Sequence, residues 1–184
     1  GAAIRAPSSR PRSGRRRPGA GPPTAIEMEE TYRPASKLQC VDPMADPAFE
    51  REEMVRTHLA ARGIRDERVL QAFRDVPREA FLPEDLAEFA YEDAPLPIEQ
   101  GQTISQPYIV ALMSAALNLD PQDRVLEVGT GSGYAAAILG RLAREVYTIE
   151  RHELLATQAA SRLAELGINT VSDLLGFDVR ADVG

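Results

Sequence analysis

Directly after position 45, apolar residues recur every three to four positions, the spacing of a helix with one buried face. Asp46 followed by Pro47 is typical of a helix start, and this helix is predicted to end at Gly63. Asp66 then caps a second helix, which Pro77 ends. Their predicted buried positions are Val55, Leu59, Val69, Leu70, Phe73 and Val76.

A short third helix is predicted after Pro83, with Leu86 and Phe89 turned inward. The three helices precede every predicted strand of a larger sheet. We therefore expect them to form a helical layer that covers one side of that sheet.

The helical pattern breaks over residues 94–106, which are polar and interrupted by Pro95, Pro97 and Gly101. This segment is too irregular for a core element, and a long irregular loop inside a compact domain usually has a function. On pattern alone, Ser105 is predicted to cap the helix that follows. The predicted buried stripe of that helix is Ile109, Val110, Met113 and Leu117.

From residue 124 onward, short branched apolar runs alternate with helical patterns. Strands are predicted at 124–128 and 145–150, helices at 134–143 and 152–166, and a third strand is predicted to begin within 168–171. The order β-α-β-α-β implies right-handed crossovers and a parallel sheet. The predicted fold class is therefore α/β.

Composition divides the 184 residues into two parts. Residues 1–44 are rich in Pro, Gly, Ser and Arg, so we expect a disordered tail there. Residues 45–184 are expected to form one partial domain, with the helical layer over 45–119 and a ligand-binding half over 120–184. No run is apolar enough to cross a membrane.

The number of cysteines, the spacing of the histidines and the net charge restrict the functions that the protein can have. The single Cys40 fits a reducing compartment, so a cytoplasmic location is expected. His58 and His152 lie far apart without metal-ligand spacing, so no metal is expected. Six tail arginines sit in an acid-free stretch, and without them the net charge of −7 becomes −13. An acidic body argues against nucleic-acid binding by the folded part.

The stretch from Val125 to Tyr134 holds the strongest chemical signal in the chain. A branched strand meets glycines at 129, 131 and 133, and a small-residue helix follows. The dinucleotide pattern G-x-G-x-x-G/A would need its third small residue at Tyr134, which does not fit. The spacing instead resembles the first motif of S-adenosylmethionine-dependent methyltransferases, in which Glu127 would favour a positively charged ligand. Glu150 closes the next strand, where an acid accepts hydrogen bonds from ribose hydroxyls.

Four stretches together make the chain resemble bacterial protein-L-isoaspartate O-methyltransferases over about residues 50–168. They are Val76-Pro77-Arg78-Glu79-Ala80-Phe81, Leu96-Pro97-Ile98, Gly101-Gln102-Thr103-Ile104-Ser105-Gln106-Pro107 and Val125 to Tyr134. The resemblance implies a Rossmann-like methyltransferase fold. It also implies a repair enzyme that methylates the α-carboxylate of L-isoaspartyl and D-aspartyl residues in damaged proteins, its substrates.

The same resemblance assigns roles to individual residues. Ser105 corresponds to the active-site serine of the family. The residues implied to hold S-adenosylmethionine are Thr103, Ile104, Ser105, Glu127, Gly129, Gly131, Gly133 and Glu150.

The resemblance stops beyond Gly167, where no Gly-Asp-Gly-type loop follows, and no role is carried onto Asp173, Asp178 or Asp182. We expect the fold to be truncated after its third strand and its first strand to keep an open apolar edge. This leaves an alternative function, a non-catalytic cofactor-binding or interaction remnant of the family. A methyltransferase for small molecules or nucleic acids is disfavoured by the loop at 103–105, and a nicotinamide oxidoreductase by the glycine spacing.

Overall fold

The computed structural model describes residues 46–175, and the tail over residues 1–44, Cys40, Asp178 and Asp182 lie outside this range. The elements are α1 (Pro47–Met54), α2 (Glu67–Asp75), β1 (Leu96–Ile98), β2 (Gln102–Ile104), α3 (Pro107–Leu117), β3 (Arg124–Val128), α4 (Tyr134–Leu142), β4 (Glu145–Glu150), α5 (Glu153–Glu165) and β5 (Val171–Leu175). Within the described part of the chain, no helix is long and apolar enough to span a bilayer.

The first two helices begin where the sequence predicts. Asp46 accepts a hydrogen bond from the Ala48 amide at the start of α1, and Asp66 accepts two at the start of α2. Helix α1 continues through a π-helical turn (Val55–Leu59) and a 3-10 turn (Ala60–Arg62) to Gly63, which adopts a left-handed conformation.

The predicted third helix is two 3-10 segments, Arg78–Phe81 and Glu84–Phe89. Leu86 and Phe89 are only half-buried, so they are less buried than the sequence predicts. The buried positions here are Phe81 and Leu82 before the second segment and Ala90 and Tyr91 after it.

The helical layer reaches the sheet by way of helix α4. Phe73 and Phe81 both contact the ring of Tyr134 edge-on, with ring centroids 5.9 and 5.6 Å apart. Tyr134 is itself the first residue of α4 and is 1% exposed. The layer therefore packs on the helix that follows the glycine turn.

The three-stranded sheet is parallel, with the order β3-β4-β5. On one face, Val146 packs with Leu139 of α4 and with Ala143, the residue after that helix, and Val125 and Val171 lie against them. On the other face, Leu126 is 60% and Val128 is 79% exposed. Among the described residues β3 pairs with β4 alone, so the predicted open apolar edge is confirmed for this part of the chain.

The buried stripe predicted for α3 is wrong at three of its four positions. Ile109, Met113 and Leu117 are exposed, whereas Val110 is buried as expected. Helix α3 buries instead Pro107, Val110, Ala111 and Ser114. Its surroundings explain this, since its small face contacts the turns after α1 and helices α2 and α4.

Candidate functional site

The glycine turn lies between β3 and α4 with its backbone open on one side. The φ angles of Gly129 and Gly131 are +95° and +55°, a left-handed region that favours glycine. A Cβ added at Gly129 would meet nothing within 4 Å, and one at Gly131 would meet only Ile98, at 3.8 Å. The turn thus presents bare main-chain atoms to open space, which a ligand can approach closely.

The turn is held to the end of β4 by main-chain and carboxylate hydrogen bonds. The Gly129 amide donates to the Ile149 carbonyl at 2.8 Å. Glu150 accepts from the Gly131 amide at 2.9 Å through Oε2 and from the His152 amide at 2.9 Å through Oε1. Glu150 is 6% exposed, and each carboxylate oxygen can accept a further hydrogen bond. Glu150 therefore shapes the turn in addition to the ribose-binding role that the sequence predicts.

Two buried threonines connect Glu127, one of the two predicted acidic residues, to the glycine turn. Thr148 donates a hydrogen bond from its hydroxyl to Glu127 Oε2 at 2.8 Å. The hydroxyls of Thr130 and Thr148 lie 2.6 Å apart, and because Thr148 donates to Glu127, Thr130 is the donor between them. In the sheet Thr148 lies opposite Glu127 and two residues before Glu150, on the same face. This series of hydrogen bonds fixes the Glu127 carboxylate beside the turn.

Gly133 closes the turn against helix α5. Its φ angle is +92°, and an added Cβ would lie 3.1 Å from Ala159 Cβ and 3.6 Å from the ring of Phe81. The contact with Ala159 is tighter than carbon atoms normally make. Gly133 therefore serves packing of α5 against the turn, whereas Gly129 and Gly131 face open space.

The residues 94–106 form an ordered antiparallel hairpin rather than an irregular loop. Strand β1 pairs with β2, with Leu96 opposite Ile104 and Ile98 opposite Gln102. Leu96, Ile98 and Ile104 are buried, which corrects the expectation that this segment is no core element. Between the strands, Gln100 adopts a left-handed conformation with φ +60°.

The three predicted residues on the hairpin differ in exposure. Ile104 is buried, and Thr103 and Ser105 are exposed. Ile98, on the neighbouring strand, is the hairpin residue whose side chain faces Gly131. The structure therefore brings the hairpin to the glycine turn through Ile98, while Thr103, opposite the exposed Pro97, lies on the other face of the hairpin.

Ser105 does not cap helix α3, so that prediction is wrong. The N-cap is Gln106, which makes no capping bond with its side chain. The capping acceptor comes from Asp93, whose Oδ1 accepts from the Tyr108 amide at 3.1 Å. Asp93 Oδ2 also accepts from the Gln106 side chain at 2.9 Å and from Arg62. The start of α3 therefore does not depend on the Ser105 hydroxyl.

Arg78 lies fully buried beneath the hairpin, with 0% exposure. Its guanidinium donates to the Ser105 carbonyl at 2.9 Å and to the Ala94 carbonyl at 3.4 Å. Its central carbon lies 5.0 Å from the centroid of the Tyr134 ring. Burial lowers the pKa of Arg78 from its usual value, and the aromatic rings and Asp93 nearby offset part of that effect.

Helix α5 ties the hairpin to the turn from the other side. Glu99, in the bend of the hairpin, accepts from the Gln158 side chain at 3.3 Å and lies 3.8 Å from Arg162. Arg162 also donates to the Ser132 carbonyl in the glycine turn, at 3.5 Å. The hairpin, the turn and α5 thus form one connected wall.

The arrangement suits a cationic ligand that carries hydroxyl groups. The Glu127 and Glu150 carboxylates lie beside bare backbone, and Thr103 and Ser105 are exposed on the adjoining hairpin. Sequence reasoning missed the residues that support these groups, namely Arg78, Asp93, Ile98, Thr130 and Thr148. Arg78, Ile98 and Thr130 stand within the matching stretches, which indicate no individual role for them, whereas Asp93 and Thr148 lie outside those stretches.

Comparison with known proteins identifies a family model that matches residues 49–179, described as protein-L-isoaspartate(D-aspartate) O-methyltransferase. A protein-L-isoaspartate O-methyltransferase of Methylorubrum extorquens is 61% identical over 135 residues, which cover 73% of this chain and 59% of that protein. One of Rhodopseudomonas palustris is 60% identical over 124 residues, covering 67% and 51%. The chain thus spans between half and three fifths of the length of these relatives.

Two solved structures share the fold. A protein-L-isoaspartate O-methyltransferase has a TM-score of 0.61 and 33% identity, covering 68% of this chain and 42% of that one. A second, from Plasmodium falciparum, is described as a protein-L-isoaspartate O-methyltransferase in complex with S-adenosyl-L-homocysteine. Its TM-score is 0.58 at 26% identity, and the match covers 67% of this chain and 62% of that chain. The fold is therefore the Rossmann-like methyltransferase fold expected from the sequence.

Proposed function

The chain belongs to the protein-L-isoaspartate(D-aspartate) O-methyltransferase family, and we propose that it transfers a methyl group from S-adenosylmethionine to the α-carboxylate of isoaspartyl residues in damaged proteins. The observation that carries this proposal is the open glycine turn flanked by Glu127 and Glu150, with the Ser105 hydroxyl exposed on the adjoining hairpin.

The cofactor fits the residues around the turn. Backbone without Cβ atoms at Gly129 and Gly131 leaves room for a ligand to lie against the main chain. Glu127 and Glu150 place negative charge where the amino group and sulfonium of S-adenosylmethionine would be stabilised. Glu150 keeps acceptor capacity for ribose hydroxyls after bonding two amides. We assign Thr103, Ile104 and Gly133 to the wall of the same site.

The proposed reaction requires little acid–base catalysis by the protein. S-adenosylmethionine supplies, when bound, a methyl group already activated by its sulfonium. The isoaspartyl α-carboxylate, with a pKa of about 3.5, is ionised at neutral pH, so no general base is needed. The work of the chain is to hold the carboxylate in line with the methyl group and to exclude water. Ser105 would orient that carboxylate by donating a hydrogen bond from its hydroxyl.

A methyl-transfer assay tests the proposal directly. Labelled S-adenosylmethionine is incubated with this chain and an isoaspartyl peptide, and the aspartyl isomer serves as the matched control. We expect base-labile label on the isoaspartyl peptide alone. Label on both peptides would contradict the substrate assignment, and label on neither would contradict the activity.

A second candidate function is cofactor binding without methyl transfer. The observation that favours it is the uncovered face of the sheet at Leu126 and Val128, because parallel sheets are normally covered on both faces. Calorimetry separates the candidates, since this one requires cofactor binding by a chain that leaves both peptides unlabelled.

The place of the reaction is also part of the proposal. A cytoplasmic location is supported by the single cysteine of the sequence, which fits a reducing compartment. Its substrates would be isoaspartyl-containing proteins and peptides.

A further inference from the structure

The open end of the β1–β2 hairpin is spanned by one side chain from outside the hairpin. The strand pairing ends at Leu96 opposite Ile104. The Ala94 and Ser105 carbonyls lie just beyond that last pair, and the buried Arg78 guanidinium donates to both. The next rung of the ladder is thus replaced by the two nitrogens of one guanidinium.

Arg78 also contacts the helix that begins at the glycine turn. Its guanidinium carbon lies 5.0 Å from the ring centroid of Tyr134, which follows Gly133 directly in the chain. The side chain therefore touches both halves of the candidate site, the hairpin through main-chain carbonyls and the turn through an aromatic ring. Glu79, the next residue of the same motif, accepts a hydrogen bond from Tyr91 and holds the motif in place.

The planar guanidinium suits this position for a geometric reason. Two nitrogens in a fixed fork reach two carbonyls while the flat face lies over a ring, and the charge persists when buried. A lysine ammonium is a point charge with three donors on a flexible stem, so it lacks the fixed fork that holds both carbonyls in register. Shape as well as charge is required here.

We propose that Arg78 is a positioning residue for methyl transfer, which fixes the main chain of Ser105 so that its hydroxyl meets the substrate carboxylate. The inference rests on the function proposed above. Arg78 does not touch substrate or cofactor; it acts through Ser105.

The first test needs no catalytic activity. Arg78→Lys keeps the charge and removes the fork, so amide hydrogen exchange of residues 102–104 should quicken about 10-fold while that of β4 stays unchanged. The matched control is Arg68→Lys, because Arg68 likewise donates to two carbonyls, those of Leu119 and Leu142, at 2.7 and 2.5 Å. Equal exchange at residues 102–104 in the wild-type and Arg78→Lys proteins would overturn the proposal.

The second test is a double-mutant cycle on kcat/KM for the isoaspartyl peptide. Alone, Arg78→Lys should lower kcat/KM about 10-fold or more, a larger factor than any rise in the Kd for S-adenosylmethionine. In the Ser105→Ala background the same change should cost less than about 2-fold, because the residue through which Arg78 acts is gone. Equal losses in both backgrounds would show a structural role only and overturn the proposal. A wild-type chain without activity would contradict the proposed function, and the exchange measurement would then decide whether Arg78 fixes the hairpin main chain.

Discussion

The hydroxyl of Thr148 lies 2.8 Å from Glu127 Oε2 and donates a hydrogen bond to it. Thr148 is fully buried and is the middle of three side chains that run from Thr130 to Glu127. An acidic residue at a strand end normally faces water, whereas this one is oriented from within the sheet. The carboxylate is therefore positioned before any ligand arrives.

We expect Thr148→Val to weaken S-adenosylmethionine binding. Valine has nearly the same shape, so the main loss is the hydrogen bond to Glu127 and the partner of Thr130, and Kd should rise about 10-fold. Isothermal titration calorimetry measures this, and Thr148→Ser is the control that keeps the hydroxyl. Equal affinity in the valine and wild-type proteins would show that the threonine chain does not position Glu127.

Ser105→Ala should lower methyl transfer while cofactor binding is kept. The hydroxyl is exposed and caps no helix, so its removal should leave the fold intact and reduce kcat/KM for an isoaspartyl peptide about 10-fold or more. Ser161→Ala, which removes a hydroxyl bonded to Glu165 on α5, is the control. If the Kd for S-adenosylmethionine rises as much as kcat/KM falls, Ser105 has no specific role toward the substrate.

Gly133→Ala should destabilise the protein more than Gly63→Ala, although both glycines have nearly the same φ angle. At Gly63, φ is +98° and a Cβ would meet nothing within 4 Å, so the cost is the left-handed strain of about 1 kcal/mol. At Gly133, φ is +92° and the Cβ would lie 3.1 Å from Ala159 Cβ, which adds about 1–3 kcal/mol of overpacking. Urea unfolding of the two variants isolates the packing contribution. Equal destabilisation would mean that α5 shifts freely.

Tyr91 and Tyr134 should resist deprotonation until the protein unfolds. Burial raises the pKa of both phenols, and the hydrogen bond to Glu79 raises that of Tyr91 further. The folded state favours the neutral phenol, so this contribution to stability is complete below the unfolded pKa of about 10 and is lost as the pH rises above it. Absorbance at 295 nm should show no titration of either ring before unfolding. The prediction would be contradicted if the absorbance change before unfolding were smaller in Tyr91→Phe or Tyr134→Phe than in the wild-type protein, because that ring would then have titrated in the folded state.

Local signals in the sequence predicted the parts of the fold that local chemistry determines. The caps Asp46 and Asp66, the glycine turn and the parallel strand order are all found in the structure. Each depends on residues within a few positions of one another, or on the alternation of strands and helices.

The predictions from the sequence were wrong where contacts between distant residues determine burial, capping or hydrogen bonding. Helix α3 is apolar nearly all round, so periodicity could not show that Ile109, Met113 and Leu117 stay exposed. The cap of the same helix comes from Asp93, 15 residues before Tyr108, which made Ser105 look like the cap. Arg78 and Ser105 are separated by 27 residues, and no local pattern indicates such a bond.

The ordered hairpin determines which partner must give up conformational freedom when a substrate binds. Its strands are paired, and Arg78 and Asp93 hold its two chain ends, so the protein side of the site is already fixed. The ordering cost falls on the peptide, at roughly 1–2 kcal/mol for each backbone residue that is immobilised. Damaged residues in extended, exposed segments can adopt the required geometry, whereas those held within helices or sheets must first unfold locally. A rigid hairpin would thus select substrates by the local flexibility of the damaged segment as much as by the chemistry of the damaged residue.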